Sequence, residues 1–249
     1  MNIQKNIIYQ LQMNNRIAIT IGDINGIGIK ILINLWLKKN KKNFVLFTNK
    51  EIILKYLKKN KLKIKINVVN KNKNLFDFKN HHLNIFNFNA KSFEENTIKS
   101  IQNAYNECKK NNLIGMITLP LRKDLIIRKI NSKFIGHTEY LQKLDKKEFS
   151  NMILYHKKIL ITPLTTHLSL RALLNKIKDK NYIYNQIYNL NKILQKDFNI
   201  VKPKIIISGI NPHAGENGYI GLEEEKIFKP IISKIKKNGI IIEGPVSGD

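Results

Sequence analysis

Short apolar runs alternate with longer segments of helical periodicity along most of the 249 residues, and this alternation restricts the fold more than any other feature. The runs at 16–21, 113–119 and 204–208 are rich in isoleucine and leucine. Such runs are typical of parallel strands, because helices cover both faces of a parallel sheet. Strands that alternate with helices therefore predict an α/β fold built on a layered, mostly parallel sheet.

Local chemistry predicts where individual elements begin. Ser92 followed by Glu95 forms a capping box, which predicts a helix that continues to about residue 110. Ser169 is the expected cap of a second helix, which ends near residue 177. The other predicted elements are helices at 28–39, 51–59, 182–196 and 222–237, strands at 44–47, 63–69, 204–208 and 240–243, a hairpin of 151–156 with 158–163, and a loop with one short strand at 70–89.

The composition gives the chain a high positive charge, but it does not indicate a nucleic-acid partner. The chain has 44 basic and 18 acidic residues, which gives a net charge of +26. Its 44 Ile, 40 Lys and 34 Asn residues, against 4 Arg, indicate drift in an AT-rich genome, since selection for phosphate contacts would favour arginine. The lysines are also spread along the chain, whereas a nucleic-acid footprint clusters on one face. We therefore expect no specific nucleic-acid partner.

Cysteine content and hydropathy bear on location. Cys108 is the single cysteine, so no internal disulfide is possible, and this favours a reducing compartment. No apolar run reaches the ~18 residues that a membrane span needs. The first 15 residues also lack the apolar core of a secretory signal. These features predict a cytoplasmic protein with no membrane partner.

Two candidate sites lie at predicted strand-to-helix junctions in the first half of the chain. The glycines of residues 20–28 (TIGDINGIG) allow a tight turn before a helix N-terminus, where backbone N–H groups bind anions. Their spacing differs from the GxGxxG fingerprint, so a turn without a ligand is the alternative. His137 and Thr138, in the stretch GHTEYL, can donate to an anionic oxygen at a helix start. An ordinary helix cap formed by Thr138 is the alternative there.

Two further candidates lie in the second half. His167, between a predicted strand and a helix, is a candidate metal ligand or else a capping or core histidine. Residues 208–225 (SGINPHAGENGYIGLEEE) hold Asn211 and His213 in a loop of special residues after a buried strand, which indicates function. A catalytic divalent site usually takes three protein ligands, so two histidines leave the set incomplete. The third ligand is either an unidentified carboxylate or absent.

Taken together, these motifs resemble those of the 4-hydroxythreonine-4-phosphate dehydrogenases of vitamin B6 synthesis. The resemblance extends from about Arg16 to the last residue. It implies a two-domain α/β/α fold like that of isocitrate and isopropylmalate dehydrogenases, with an active site at a homodimer interface. The first domain would span 1–125, and the second, 126–249, would carry the metal histidines and the dimer interface. The matching stretches are IAITIGDINGIGIKIL, MITLPLRKDLI, FIGHTEYL, NMILYHKKILITPLTTHLSLR, SGINPHAGENGYIGLEEEKIFKPII and GIIIEGPVSGD.

The resemblance also implies roles for individual residues. His167 and His213 would be two of three metal-binding histidines, and His137 and Thr138 would bind a small phosphorylated substrate. Asp249 would be the conserved acid near the metal, with a part in proton transfer. The implied reaction is NAD-dependent oxidation of 4-phosphooxy-L-threonine with decarboxylation to 3-amino-2-oxopropyl phosphate, in pyridoxal 5'-phosphate biosynthesis. The cation could be zinc, magnesium or cobalt, because imidazole ligands suit several divalent metals.

The chain departs from the family pattern at two places. Ile24 replaces the family's proline after the first Gly-Asp pair. The family's last portion, with the third metal histidine in a Tyr-His-Asp-Gln-Gly motif, has no counterpart, so we expect a C-terminally truncated version of the fold. The predicted last strand at 240–243 would then lack a covering helix. A paralogous dehydrogenase of another four-carbon phosphorylated hydroxy acid, or an inactive truncated remnant, are the alternative functions.

Overall fold

The computed structural model describes residues 16–38, 43–69, 71–72, 75–157 and 159–248. It divides after Leu144 into two compact units, Met1–Leu144 and Asp145–Asp249. In the described ranges, no helix is both long and apolar enough to cross a membrane. The expected α/β class is confirmed, since the first unit is built on a parallel sheet with helices between its strands.

The first unit contains a five-stranded sheet in the order β3-β6-β2-β1-β7, and every pair in it is parallel. Two strands of two residues each form a separate antiparallel pair, β4 with β5. The strands of this unit are β1 (Ile17–Thr20), β2 (Phe44–Phe47), β3 (Ile66–Val68), β4 (Lys71–Asn72), β5 (Leu75–Phe76), β6 (Leu83–Phe86) and β7 (Gly115–Thr118).

Helices cover both faces of this sheet. Alternate residues of each strand point to opposite sides, so each strand contributes to two separate apolar clusters. Ile19 and Leu46 are buried against the helices of one face, and Ala18 and Val45 lie in a second cluster that includes Ala104. The parallel sheet is therefore buried in the way that its apolar strands predict. The helices of this unit are α1 (Ile27–Lys38), α2 (Lys50–Lys59), α3 (Phe93–Lys109), α4 (Lys123–Lys129) and α5 (His137–Leu144).

The boundary between the two compact units lies after Leu144, whereas the family resemblance implies a domain boundary after residue 125. The reason is the packing of the chain that follows β7. Ile126 and Phe134 are buried in one cluster with Ile98 of α3. Lys129 also forms an ion pair of 2.8 Å with Glu94 at the start of α3. Helices α4 and α5 are thus part of the first unit.

The second unit has two small sheets and a layer of helices. Strands β8 (Leu154–His156) and β9 (Ile159–Ile161) form an antiparallel hairpin, and β10 (Lys204–Ser208) pairs in parallel with β11 (Ile241–Val246). Lys158, at the predicted start of the second hairpin strand, lies outside the described residues. One apolar cluster holds the unit together. Its helices are α6 (Leu170–Lys176), α7 (Lys180–Lys196) and α8 (Lys229–Lys237).

Two helix predictions are confirmed at their caps, and a third is confirmed with one π-helical turn. The Ser92 hydroxyl accepts a hydrogen bond from the Glu95 N–H, and the Ser169 hydroxyl accepts one from Ala172, at 3.1 and 3.3 Å. The segment predicted as a helix at 222–237 is helical without a gap from 223 to 237, but the stretch Glu224–Phe228 is a π-helical turn that leads directly into α8. Pro230 near the start of α8 fits a change of helix type at this place, because proline cannot donate the backbone hydrogen bond of a regular α-helix.

Candidate active site

The C-terminal ends of the neighbouring parallel strands β1 and β7 lie side by side at one edge of the first unit's sheet. From β1 the chain crosses to β2 on one side, and the later crossover through α3 places β7 on the other side. Ligands bind at such a switch point in open α/β sheets. Here the Asp23 N–H donates to the Pro120 carbonyl at 2.8 Å, and the Thr97 hydroxyl donates to the Gly22 carbonyl at 3.0 Å. The two strand ends are therefore held together at this edge.

The glycines of residues 20–28 are needed for this close packing. A Cβ on Gly22 would lie 2.0 Å from the Pro120 carbonyl oxygen, and one on Gly28 would lie 2.9 Å from Pro120 Cδ. The contact with the loop after β7 is enough to explain both glycines. The structure thus favours the turn alternative for these positions, although the first N–H groups of α1 also lie at this edge.

His137 is the first residue of α5, and Thr138 lies in its first turn. Thr138 is therefore inside the helix, and the alternative of a Thr138 cap is not what the structure shows. The His137 imidazole is partly buried, and its Nε2 atom has no hydrogen-bond partner among the described residues. Burial lowers the pKa of His137, so the ring is neutral at physiological pH. The Nε2 atom is itself buried, so a substrate could reach this nitrogen only after the side chains around it move.

His167 lies between β9 and α6 with its side chain exposed. Its φ is 56°, in the left-handed region that residues other than glycine seldom adopt. Such backbone strain persists where the surrounding structure enforces it, and it concentrates at functional sites. Two hydrogen bonds hold the chain on either side of His167. Ser169 caps α6, and the Leu164 carbonyl accepts a hydrogen bond of 3.1 Å from the Tyr182 hydroxyl of α7.

His213 lies in the loop after β10, and Asn211 fixes its position. The Asn211 side-chain oxygen accepts from the His213 N–H at 2.9 Å and from the Gly215 N–H at 3.5 Å. Ala214 and Glu216 both have positive φ, at 49° and 44°, so the loop is wound tightly. The His213 Nδ1 atom lies 3.4 Å from a Glu216 carboxylate oxygen.

Two further elements hold this loop from outside. Glu224, only 3% exposed, accepts a hydrogen bond of 2.9 Å from the Ile210 N–H. From the end of β11, the Gly248 N–H and the Ser247 hydroxyl both donate to the Pro212 carbonyl, at 2.8 and 2.7 Å. The sequence does not single out Glu224, because an acidic residue at a helix start is also expected from the helix dipole alone.

The structure places the predicted residues in different parts of the chain. His137 and Thr138 lie in the first unit, and His167 and His213 lie in the second. Thr165 and Ile210, two and three residues before these histidines, line one cavity, but neither His167 nor His213 is part of its lining. Asp249 lies outside the described residues, although its neighbour Gly248 is bonded beside the His213 loop.

The donor set of the second unit suits a divalent cation but is short of a full site. Imidazole nitrogens bind zinc, cobalt and similar metals, and both His167 and His213 are exposed. Within the described ranges, no group of three or more His, Cys, Asp or Glu side chains is placed to hold a metal. A complete catalytic site would therefore need a ligand from elsewhere.

Comparisons with known proteins agree on one relationship. A family model described as pyridoxal phosphate biosynthetic protein PdxA matches residues 40–249. The 4-hydroxythreonine-4-phosphate dehydrogenase of Sulfurihydrogenibium sp. (strain YO3AOP1) is 29% identical over 242 residues, 94% of this chain and 74% of that protein. The dehydrogenase of the same name from Wigglesworthia glossinidia brevipalpis is 30% identical over 245 residues, 94% of this chain and 73% of that protein.

The solved structures show the same fold. The crystal structure of 4-hydroxythreonine-4-phosphate dehydrogenase from Klebsiella pneumoniae matches with a TM-score of 0.81 at 24% identity, over 94% of this chain and 75% of that one. A terephthalate 1,2-cis-dihydrodiol dehydrogenase from Burkholderia xenovorans LB400 matches with a TM-score of 0.54 at 19% identity, over 94% of this chain and 74% of that one. This chain thus spans about three quarters of the length of these relatives.

Proposed function

The chain belongs to the family of pyridoxal phosphate biosynthetic protein PdxA, and from this premise we propose that it is an NAD-dependent dehydrogenase of 4-phosphooxy-L-threonine. The relatives' names support a dehydrogenase in vitamin B6 synthesis. The proposed reaction oxidises the secondary alcohol of the substrate and releases carbon dioxide, which leaves 3-amino-2-oxopropyl phosphate. A homodimer is part of the proposal.

The His213 loop is the observation that best supports this function. Its backbone is fixed by Asn211, by the buried Glu224, and by the end of β11. A loop held from three sides presents its side chain at low entropic cost when a ligand binds. We therefore assign His213 and His167 to a divalent cation, which when bound would act as a Lewis acid toward the substrate's oxygen.

His137 and Thr138 are assigned to the substrate. The neutral imidazole of His137 carries one donor and one acceptor nitrogen, and the Thr138 hydroxyl can donate to a phosphate or carboxylate oxygen. Both lie at the start of α5, where the helix dipole favours an anion. Asp249 is assigned to proton transfer, on the family resemblance alone.

The test is turnover of the purified chain with 4-phosphooxy-L-threonine and NAD, followed by NADH absorbance with zinc, magnesium and cobalt in turn. His213→Ala should lower turnover at least ~100-fold, because it removes a metal ligand. His156→Ala is the matched control, since His156 is an exposed histidine of the same unit, on the β8–β9 hairpin. If the unsubstituted chain turns over, equal turnover of the two variants would refute the assignment of His213.

The shortage of metal ligands favours one second candidate, a protein without catalytic activity. Calorimetric titration with zinc distinguishes it from the enzyme, because two histidines bind far more weakly than three ligands. Weak binding together with no turnover would support the inactive protein. Turnover that is faster on another phosphorylated four-carbon hydroxy acid, in a competition assay, would instead identify a paralogous dehydrogenase.

A further inference from the structure

The surface of the second unit carries a row of two stacked tyrosines with a lysine at each end. The Tyr184 and Tyr188 rings of α7 are nearly parallel, at 12°, with centroids 6.0 Å apart. The Lys192 ammonium lies 4.4 Å from the Tyr188 centroid, and the Lys234 ammonium of α8 lies 4.8 Å from the Tyr184 centroid. We call these four side chains the lysine–tyrosine row.

The row forms because two helices pack side by side. Tyr184, Tyr188 and Lys192 follow one another at intervals of four residues, so each is the neighbour of the next along α7. Helix α8 packs against α7 through the apolar cluster of the unit. The Asn238 side chain, at the end of α8, donates to the Tyr184 hydroxyl and holds that ring between the helices. Residues far apart in the chain thus form one surface.

The two helices of the row are basic along their whole length. Together α7 and α8 contain seven lysines and no acidic residue. Asp179 and Asp197, which flank α7, are the caps at its two ends. Among the described residues, no carboxylate lies within ion-pair distance of Lys192 or Lys234. Both ammonium groups are therefore available to pair with an anion.

The tyrosines distinguish this surface from a simple basic patch. Tyr188 is 37% exposed, and its ring is offset from that of Tyr184, because fully overlapping aromatic planes lie only about 3.4 Å apart. Part of the Tyr188 ring is thus open to a further aromatic group. A lysine over an exposed ring is held weakly, so a nucleobase can take the place of Lys192 while its ammonium turns to a phosphate. The row is at most about 15 Å long, which matches about four stacked nucleotides.

We propose that the lysine–tyrosine row binds single-stranded nucleic acid without reading its base sequence. A base stacks on Tyr188, and the Lys192 and Lys234 ammonium groups pair with phosphates on either side of it. Every base has an aromatic face, and a lysine pairs with phosphate as a point charge, so no base order is selected. The proposal uses none of the residues assigned to the cation or the substrate, and it does not depend on the catalytic activity.

An anionic membrane is a poorer match for the same charge. Amphipathic helices bind membranes by inserting large apolar side chains below the headgroups. Apart from Tyr188, the exposed residues of α7 and α8 are lysine, asparagine, glutamine, serine and proline. The apolar side chains of both helices face the core of the unit instead.

The first test measures fluorescence anisotropy of a labelled uridine oligonucleotide of about twelve residues with the full chain, in about 0.15 M salt. Lys192→Gln combined with Lys234→Gln should weaken binding at least ~10-fold. It should also reduce the slope of log affinity against log salt by about 1.4, since each single-strand phosphate contact contributes about 0.7. Lys55→Gln combined with Lys58→Gln, exposed lysines of α2, removes the same charge and should weaken binding less than ~3-fold. Equal losses from the two pairs would overturn the proposal.

The second test separates stacking from charge. Tyr188→Leu removes the ring without a change of charge and should weaken binding at least ~5-fold. Tyr155→Leu is the control, because Tyr155 is a 70% exposed tyrosine on β8, and it should leave binding unchanged. A duplex of the same length should bind more weakly than the single strand, although its charge density is higher, since its bases already stack on each other. Tighter binding of the duplex, or equal affinities of the two tyrosine variants, would refute a stacking site.

Two further probes identify the source of the anion. An oligo(dT) of the same length is compared with the uridine strand: tighter binding of the uridine strand would identify RNA as the partner, and tighter binding of oligo(dT) would identify DNA. Vesicles of phosphatidylcholine and phosphatidylserine test the membrane instead. Flotation of the chain with these vesicles, together with no binding of either oligonucleotide, would overturn the proposal.

Discussion

Replacing Gly22 by alanine should destabilise the first unit by about 2–5 kcal/mol. The new Cβ would lie 2.0 Å from the Pro120 carbonyl oxygen and 2.6 Å from that of Leu119, so the two segments must separate by about 1 Å. That movement breaks the Asp23–Pro120 hydrogen bond and disturbs the one from Thr97 to the Gly22 carbonyl. Each lost bond costs about 1 kcal/mol, and overpacking adds about 1–3 kcal/mol.

The assay is equilibrium unfolding in urea, followed by tryptophan fluorescence. Trp36 is the single tryptophan and lies in the same buried cluster as Ile21, so its signal reports on the first unit. Gly115→Ala is the control, because a Cβ at this position of β7 meets nothing within 4 Å. The control should change the free energy of unfolding by less than about 1 kcal/mol. A Gly22→Ala value within about 0.5 kcal/mol of the control would refute the packing argument.

Three further outcomes test other parts of the molecule. Burial, together with the charge of a neighbouring acidic residue, raises the pKa of Cys108 to about 11. Iodoacetamide at pH 8 should therefore label the folded protein much more slowly than the unfolded chain, and equal labelling rates would contradict this. Burial lowers the pKa of His137 in the folded state, so as the pH falls the unfolded state takes up the proton of this histidine before the folded state does. The free energy of unfolding should therefore decrease as the pH drops below about 6.5, the pKa of histidine in an unfolded chain. His137→Asn should make urea unfolding less sensitive to pH between 7.5 and 5.5, and an unchanged sensitivity would count against the burial argument. Glu224→Ala leaves the Ile210 N–H without its acceptor and should cost about 1–3 kcal/mol in thermal or urea unfolding followed by circular dichroism, whereas Glu224→Gln, which keeps an acceptor oxygen, should cost less.

His167 and His213 could be chosen from the sequence because each follows a strand, whereas His137, expected after a strand, lies between helices α4 and α5. The loop around His213 shows the limit of that approach. Its glycines and Asn211 are legible in the sequence, but the support from Glu224 and from the end of β11 joins residues far apart in the chain. Sequence spacing does not encode such contacts, so Glu224 could not be distinguished from the acidic residues beside it.

The sequence by itself determined the α/β class and the helix starts at Ser92 and Ser169, since apolar periodicity and capping act over a few residues. Only the tertiary structure decided that β6, from a polar stretch, lies between β3 and β2, and that the first unit extends to Leu144. Strand order and unit boundaries depend on which surfaces pack together once the chain has collapsed. That choice is made between residues far apart in sequence, where local propensity carries no information.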